Sequence, residues 1–159
     1  MHESTVPAMN TNPPAVTIGP PRLMEPAGVP GCLLPKSCIE PSGTWLTQAG
    51  DAKVKITKCG GGICGVIVWL KEPYDTATGQ PATDSKNPDR ALAKRSLIGL
   101  PLFSGMPASG PGKWSGQIYN ADDGNSYASH VAVTGADTLR VEGCLGTLCG
   151  GETWTRAGR

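Results

Sequence analysis

Val54-Lys55-Ile56-Thr57-Lys58-Cys59-Gly60-Gly61-Gly62-Ile63-Cys64-Gly65-Val66-Ile67-Val68-Trp69 decides the fold, because the chain uses the same pattern twice. At the same offsets the second copy reads Leu139-Arg140-Val141, Cys144, Gly146, Leu148, Cys149, Gly150 and Trp154. Both follow apolar-basic-apolar, two residues, then Cys-x-Gly-x-(Ile/Leu)-Cys-Gly-x-x-x-Trp. Chance rarely matches nine positions with four cysteines and two tryptophans among them. The repeat is one structural device used twice, and it identifies a fold better than a chemistry.

Working outward, the pattern has period two. Val54 and Ile56 alternate with Lys53 and Lys55, so one face is buried and the other solvated. Cys64, Val66, Val68 and Leu70 have parity opposite to Ile67 and Trp69, which gives a strand apolar on both faces. Further strands are expected at 43–48, 96–103, 113–119, 125–134, 137–143 and 150–156. Ala49-Gly50-Asp51, Ala121-Asp122-Asp123-Gly124 and Thr134-Gly135-Ala136-Asp137 join several of them with the Gly and Asp that hairpins require. Eight antiparallel strands in about 115 residues close naturally into a barrel, which leaves no exposed edge. Residues 71–95 interrupt this meander as a polar connection. Within it, Asn87-Pro88-Asp89 reads as a helix start and Ala91 to Lys94 as a short helix. Such a connection is either a lid over one mouth or a plain insertion.

Composition agrees. With 22 glycines and 15 prolines in 159 residues, short strands and turns are favoured over helices. A net charge of +1 gives no electrostatic footprint for nucleic acid. No run reaches the eighteen or more apolar residues of a transmembrane helix. Nine prolines fall in residues 1–41 without apolar periodicity, so residues 1–40 read as a Pro-rich disordered tail and 41–157 as the barrel domain. The tail has neither the basic nor the apolar segment of an export signal.

Six cysteines fall in three close pairs: Cys32 with Cys38, Cys59 with Cys64, and Cys144 with Cys149. An even count suits a disulfide framework in an oxidising compartment. Pairing within each copy of the repeat is expected, with the cysteines facing each other across a hairpin in a Gly-rich turn. Cross-pairing between copies would constrain far more chain. A four-thiolate zinc site and thiol redox chemistry are the alternatives. Neither repeat pair lies in a metal-rich segment, and neither is a Cys-x-x-Cys at a helix start.

Groups for catalysis are few. His2 lies in the tail, and alternation puts His130 opposite Val131 and Val133, on a solvated face. There is no Gly-x-Ser-x-Gly elbow, phosphate loop or His-rich metal pattern, and no cofactor is expected. Asp75, Asp84 and Asp89 match no calcium loop. Asp84 and Asn87 read as turn and cap residues that hold the long connection.

Several motifs, in order, resemble those of one family. They are Gly43-Thr44-Trp45-Leu46-Thr47, Cys59 to Cys64 with Gly65-Val66-Ile67-Val68-Trp69-Leu70, and Asp84-Ser85-Lys86-Asn87-Pro88. Trp114-Ser115-Gly116-Gln117-Ile118-Tyr119 and Gly143-Cys144-Leu145-Gly146 through Trp154-Thr155-Arg156 complete the set. The family is an uncharacterised, mostly exported bacterial one whose members adopt a lipocalin-like β-barrel. The resemblance spans about residues 41–156. The Pro-rich tail, the extra pair of Cys32 and Cys38, and the lack of a signal sequence depart from it.

The resemblance implies an all-β, antiparallel, up-and-down eight-stranded lipocalin-like barrel in the periplasm or outside the cell. It also implies a non-enzymatic calyx for a small apolar or lipid-like ligand. Gly43-x-Trp45 is similar to the Gly-x-Trp of lipocalins, whose Trp plugs the closed end beneath a late-strand Arg. Here that Arg would be Arg156 or Arg140. Trp69 and Trp154 read as core fillers, and Trp69 is also a candidate ligand contact. Tyr119 and Tyr127 flank one hairpin turn and could line a mouth. The competing expectation is a filled barrel acting by surface contact, as a structural or inhibitory envelope protein.

Overall fold

A computed structural model describes residues 40–158. Its strands are β1 (Gly43–Leu46), β2 (Ala52–Cys59), β3 (Gly62–Leu70), β4 (Pro101–Gly110), β5 (Lys113–Asn120), β6 (Asn125–Gly135), β7 (Thr138–Leu145) and β8 (Leu148–Gly158). Each pairs antiparallel with the next, and β8 returns to β1, so the sheet is closed.

Because the strands run alternately up and down, the connections fall at two ends. One end carries the turns at 47–51, 121–124 and 146–147 and the long connection 71–100. The other carries the turns at 60–61, 111–112 and 136–137 and both ends of the barrel chain.

Of the three expected cysteine pairs, the described residues contain two, and both are disulfides. The expected disulfide between Cys32 and Cys38 lies outside the described residues, as does the Pro-rich tail before residue 40. The two observed bridges sit at opposite ends of the barrel. Cys59–Cys64 staples the β2–β3 hairpin, with Cα atoms 5.8 Å apart, and Cys144–Cys149 staples β7–β8, with Cα atoms 4.0 Å apart. Cys144 and Cys149 are direct cross-strand partners, whereas Cys59 faces Gly62 and Cys64 faces Thr57, a diagonal staple. The ladders run past the cysteines, so each hairpin loop is two residues long. Gly60 and Gly61 have φ of 56° and 81°, the pair of positive values that a type I′ turn demands.

Two expectations need correction. Residues 91–94 form turns, not a helix. Asp89 accepts from the backbone N–H groups of Leu92 and Ala93, and its side chain caps Ala91, but the pattern stops after one turn. Nucleating a helix costs more than so short a segment recovers. The strand expected at 96–103 begins instead at Pro101 and runs to Gly110. Leu97 to Leu100 are tied to the connection and to Ile67 by Leu97 N–H to Ala82 O, Gly99 N–H to Ile67 O and Ile67 N–H to Leu100 O.

The core fills the end opposite the long connection. Trp45, Ile56, Ile63, Phe103, Met106, Ile118, Val131, Leu139 and Val141 are all buried there or at mid-barrel. Phe103 puts the edge of its ring where Gly65 has no side chain: a Cβ on Gly65 would come within 2.5 Å of it. The chain's one Phe thus takes the volume that the glycine leaves.

Candidate functional site

The closed end is sealed by Trp45 and Arg156. Trp45 is fully buried at the start of β1, and its indole N–H donates to Pro41 O at 2.9 Å. The Arg156 guanidinium lies 4.3 Å from the indole centroid. It donates Nη1 to Ser42 O, Nη2 to Glu40 O and Nε to Ala136 O, and Asp137 lies 3.4 Å from Nε. One planar fork therefore ties residues 40–42, the β6–β7 turn and β8 across the barrel floor. Gly43 enters β1 at φ 137°, a conformation other residues rarely adopt. Arg140 lies instead on β7, beside Glu142.

The opposite end is open. A cavity of about 740 Å³ opens there, with Leu70, Leu97 and Ala121 as partly exposed apolar lining and the buried side chains of Val54, Ile67, Leu102 and Trp154 behind them. Its rim comes from the β1–β2 turn, the first residues of the long connection and the β5–β6 turn: Thr47, Asp51, Lys71, Glu72, Tyr74, Asp75 and Asp122. A shallower cleft of about 440 Å³ lies between β4 and β5. Those strands pair only at Ala108–Trp114 and Gly110–Lys113, so they separate towards the mouth.

The long connection is pinned beside this mouth by Asp84, which is fully buried. Its Oδ1 accepts from Tyr119 Oη at 2.7 Å, and its Oδ2 accepts from Asn87 Nδ2 at 2.9 Å and Arg95 Nε at 3.1 Å. Burial, then the Asp84 carboxylate, pushes the Tyr119 phenol well above its usual range. The fit is close: a side chain on Gly124 would strike Lys86 O at 2.0 Å, and its φ of 76° is strained for anything else.

The structure separates the residues expected to touch a ligand. Tyr119 faces outward beneath the connection, occupied by Asp84 and stacked under Arg95. Tyr127 has interior parity, but its hydroxyl donates to Asp123 and it does not line the large cavity. Trp69 stands on the outer surface, 39% exposed, with Lys53 Nζ 4.8 Å from its ring centroid. Its repeat counterpart Trp154 is buried and lines the cavity. The cause is a β-bulge: Lys53 pairs with Trp69 but Val54 pairs with Ile67, so Val68 is an extra residue. Parity reverses there, turning Trp69 out and Leu70 in.

Sequence reading missed two further interior groups. Glu152 Oε1 accepts from the Trp154 indole N–H at 2.9 Å and from Gln48 N at 3.1 Å, while Gln48 Oε1 accepts from Thr153 N. Side chains thus continue the β1–β8 seam beyond the last paired residue of β1. Burial, with Asp51 adding, raises the Glu152 carboxyl to about 7. Ser129 is buried, and its hydroxyl has no hydrogen-bond partner among the described residues; its neighbours in the ladders are Gly116 and Gly143. No sequence motif marks either residue. Among the described residues a hydroxyl meets a histidine at Ser115 Oγ and His130 Nδ1, 2.9 Å apart, on the exposed outer face away from both cavities.

A closed up-and-down barrel of eight strands, sealed at one end and open at the other, is a lipocalin-like fold. Over residues 43–156 the chain matches the family described as "Uncharacterized protein conserved in bacteria (DUF2147)", and it belongs to that family. Among solved structures it is similar to protein HP1028 from the human pathogen Helicobacter pylori, which belongs to the lipocalin family. The TM-score is 0.61 at 20% identity, over 74% of this chain and 82% of the other. No curated protein matches. Among the described residues, no helix is long and apolar enough to cross a membrane.

Proposed function

We propose that this protein is a non-enzymatic carrier that holds a small apolar or amphipathic molecule in the open end of its barrel. The observation that carries this reading is the 740 Å³ cavity at the open end, whose partly exposed apolar lining is Leu70, Leu97 and Ala121 above the buried side chains of Val54, Ile67, Leu102 and Trp154. A volume in the range of small-molecule pockets, with apolar walls and a polar rim, suits a ligand that buries a hydrocarbon body. The shared fold with a lipocalin-family protein supports the same class. The two disulfides favour a periplasmic or secreted location, where an oxidising environment maintains them. Asp84 and Asn87 hold the rim loop in place, and Trp45 with Arg156 closes the floor.

A second reading, a partner-binding envelope protein, draws on a separate feature. Leu145 and Leu148, 70% and 58% exposed, form an apolar pair at the disulfide-stapled tip beside the mouth. Titration with an environment-sensitive apolar dye separates the two. A carrier gives saturable binding that Ala121→Trp, at the cavity wall, weakens. If neither dye nor hydrocarbon binds while Leu145→Ser abolishes association with an envelope protein, the second reading stands.

A further inference from the structure

The two disulfides share a motif but not their surroundings. Cys144 and Cys149 lie in an unbroken β7–β8 ladder, and Cys144 is buried. Cys59 and Cys64 are both partly exposed at the turn end of the β2–β3 hairpin. Beside them β4 carries a bulge. Ile63 pairs with Met106 and Gly65 with Phe103, so Ser104 and Gly105 together stand opposite Cys64. Gly105 takes a φ of 62° there, and its N–H donates to Cys64 Sγ at 3.2 Å. The Ser104 hydroxyl lies 3.6 Å from the same sulfur and must be the donor, because a disulfide sulfur carries no hydrogen. Among the described residues, Cys64 is the one cysteine whose sulfur accepts hydrogen bonds. Bulges re-aim groups in this way.

We infer that Cys59–Cys64 is a thiol–disulfide exchange site, attacked by an external thiol at Cys59 with Cys64 as the leaving sulfur. The inference is independent of the carrier reading. When the Cys59–Cys64 bond breaks, its electron pair stays on Cys64 Sγ, where Gly105 N–H and Ser104 O–H meet the new negative charge. Hydrogen bonds to an ion are stronger than those to a neutral group, so both donors favour the cleaved state over the bridge. A sulfur that bears charge well also leaves faster. Gly60, Gly61 and Gly62, next to Cys59, raise no side chain against an incoming thiolate. The attacking sulfur bonds to Cys59 Sγ as a mixed disulfide. A second external thiolate then attacks the external sulfur of that mixed disulfide, releasing Cys59 and forming the external disulfide. Both cysteines take up protons from water. The bridge gains two electrons, and the two external thiols supply them.

The test treats the full chain with reduced glutathione at neutral pH, traps free thiols with N-ethylmaleimide and locates both adducts by peptide fragmentation. The expected result is that Cys59–Cys64 opens about tenfold faster than Cys144–Cys149, with glutathione on Cys59 and maleimide on Cys64. Exposure alone would also make this bridge the faster one, so a second arm uses Ser104→Ala, a change at an exposed position. Circular dichroism confirms that the variant is folded. It should open Cys59–Cys64 about threefold more slowly and leave Cys144–Cys149 unchanged. No opening, equal rates for the two bridges, glutathione on Cys64, or an unchanged rate in Ser104→Ala would each overturn the inference. None of these outcomes bears on dye binding, so the carrier reading stands or falls separately.

Discussion

Arg156 holds its guanidinium 4.3 Å from the Trp45 ring while donating to three backbone carbonyls from two other segments. Replacing it with Ala removes the stack and strands those carbonyls. The expected cost is about 2–4 kcal/mol in urea denaturation. Arg156→Lys should recover less than half, because an ammonium cannot serve a planar fork. Equal stability of Lys and Arg variants would show that charge alone matters there.

Asp84→Ala should unpin the rim connection without opening the barrel. Asp84 joins Tyr119, Asn87 and Arg95, and Arg95 can regain water because it is partly exposed. The global cost should be about 1–3 kcal/mol. Hydrogen exchange should quicken across residues 82–99 and remain slow in β5 to β8. Uniform loss of protection would mean that the connection folds as one unit with the sheet.

Glu152 reverses the usual carboxylate behaviour. Burial lifts it from an ordinary 4.5 to about 7, although the N–H groups of Gln48 and Trp154 favour its charged form. Between about pH 4.5 and pH 7 the unfolded chain has lost this proton and the folded protein keeps it. Stability therefore falls as pH rises through that window and levels off above it. Glu152→Gln keeps an oxygen acceptor and removes the slope, so its Tm should exceed that of the parent protein at pH 8. An unchanged slope would assign the effect to another group.

Gly65 and Phe103 should fail to add. Gly65→Ala forces a methyl into the Phe103 ring and should cost about 1–3 kcal/mol. In a Phe103→Leu background the same change meets less crowding, so the double variant should be more stable than the summed single effects. Strict additivity in thermal melts would show that the ring moves aside freely.

Much of the barrel was legible because burial writes a period of two into residues such as Val54, Ile56, Val131 and Val133. The repeated Cys-x4-Cys marked both stapled hairpins, while the pairing expected of Cys32 with Cys38 has no repeat behind it and falls outside the described residues. Positions set by long-range register were not legible. The bulge at Val68 comes from how β2 meets β3 and from the ties between Ile67 and residues 99–100, and nothing local announces it. Parity therefore sent Trp69 the wrong way. The bond made by Tyr119 was not legible for a similar reason: only the folded connection brings Asp84, 35 residues away, onto its hydroxyl. The cavity rim draws Asp51, Glu72, Asp75 and Asp122 from three separate connections, so no motif could reveal it.

The two copies of the repeat point in opposite directions along the barrel axis. The β2–β3 hairpin descends to the sealed floor, and β7–β8 rises to the open rim. A motif used in both senses cannot by itself distinguish top from bottom. Polarity comes from what the two copies do not share: the extra residue in β3, the long β3–β4 excursion and the Trp45–Arg156 seal. Those three features, and not the disulfide-stapled staves, decide which end of the vessel is shut.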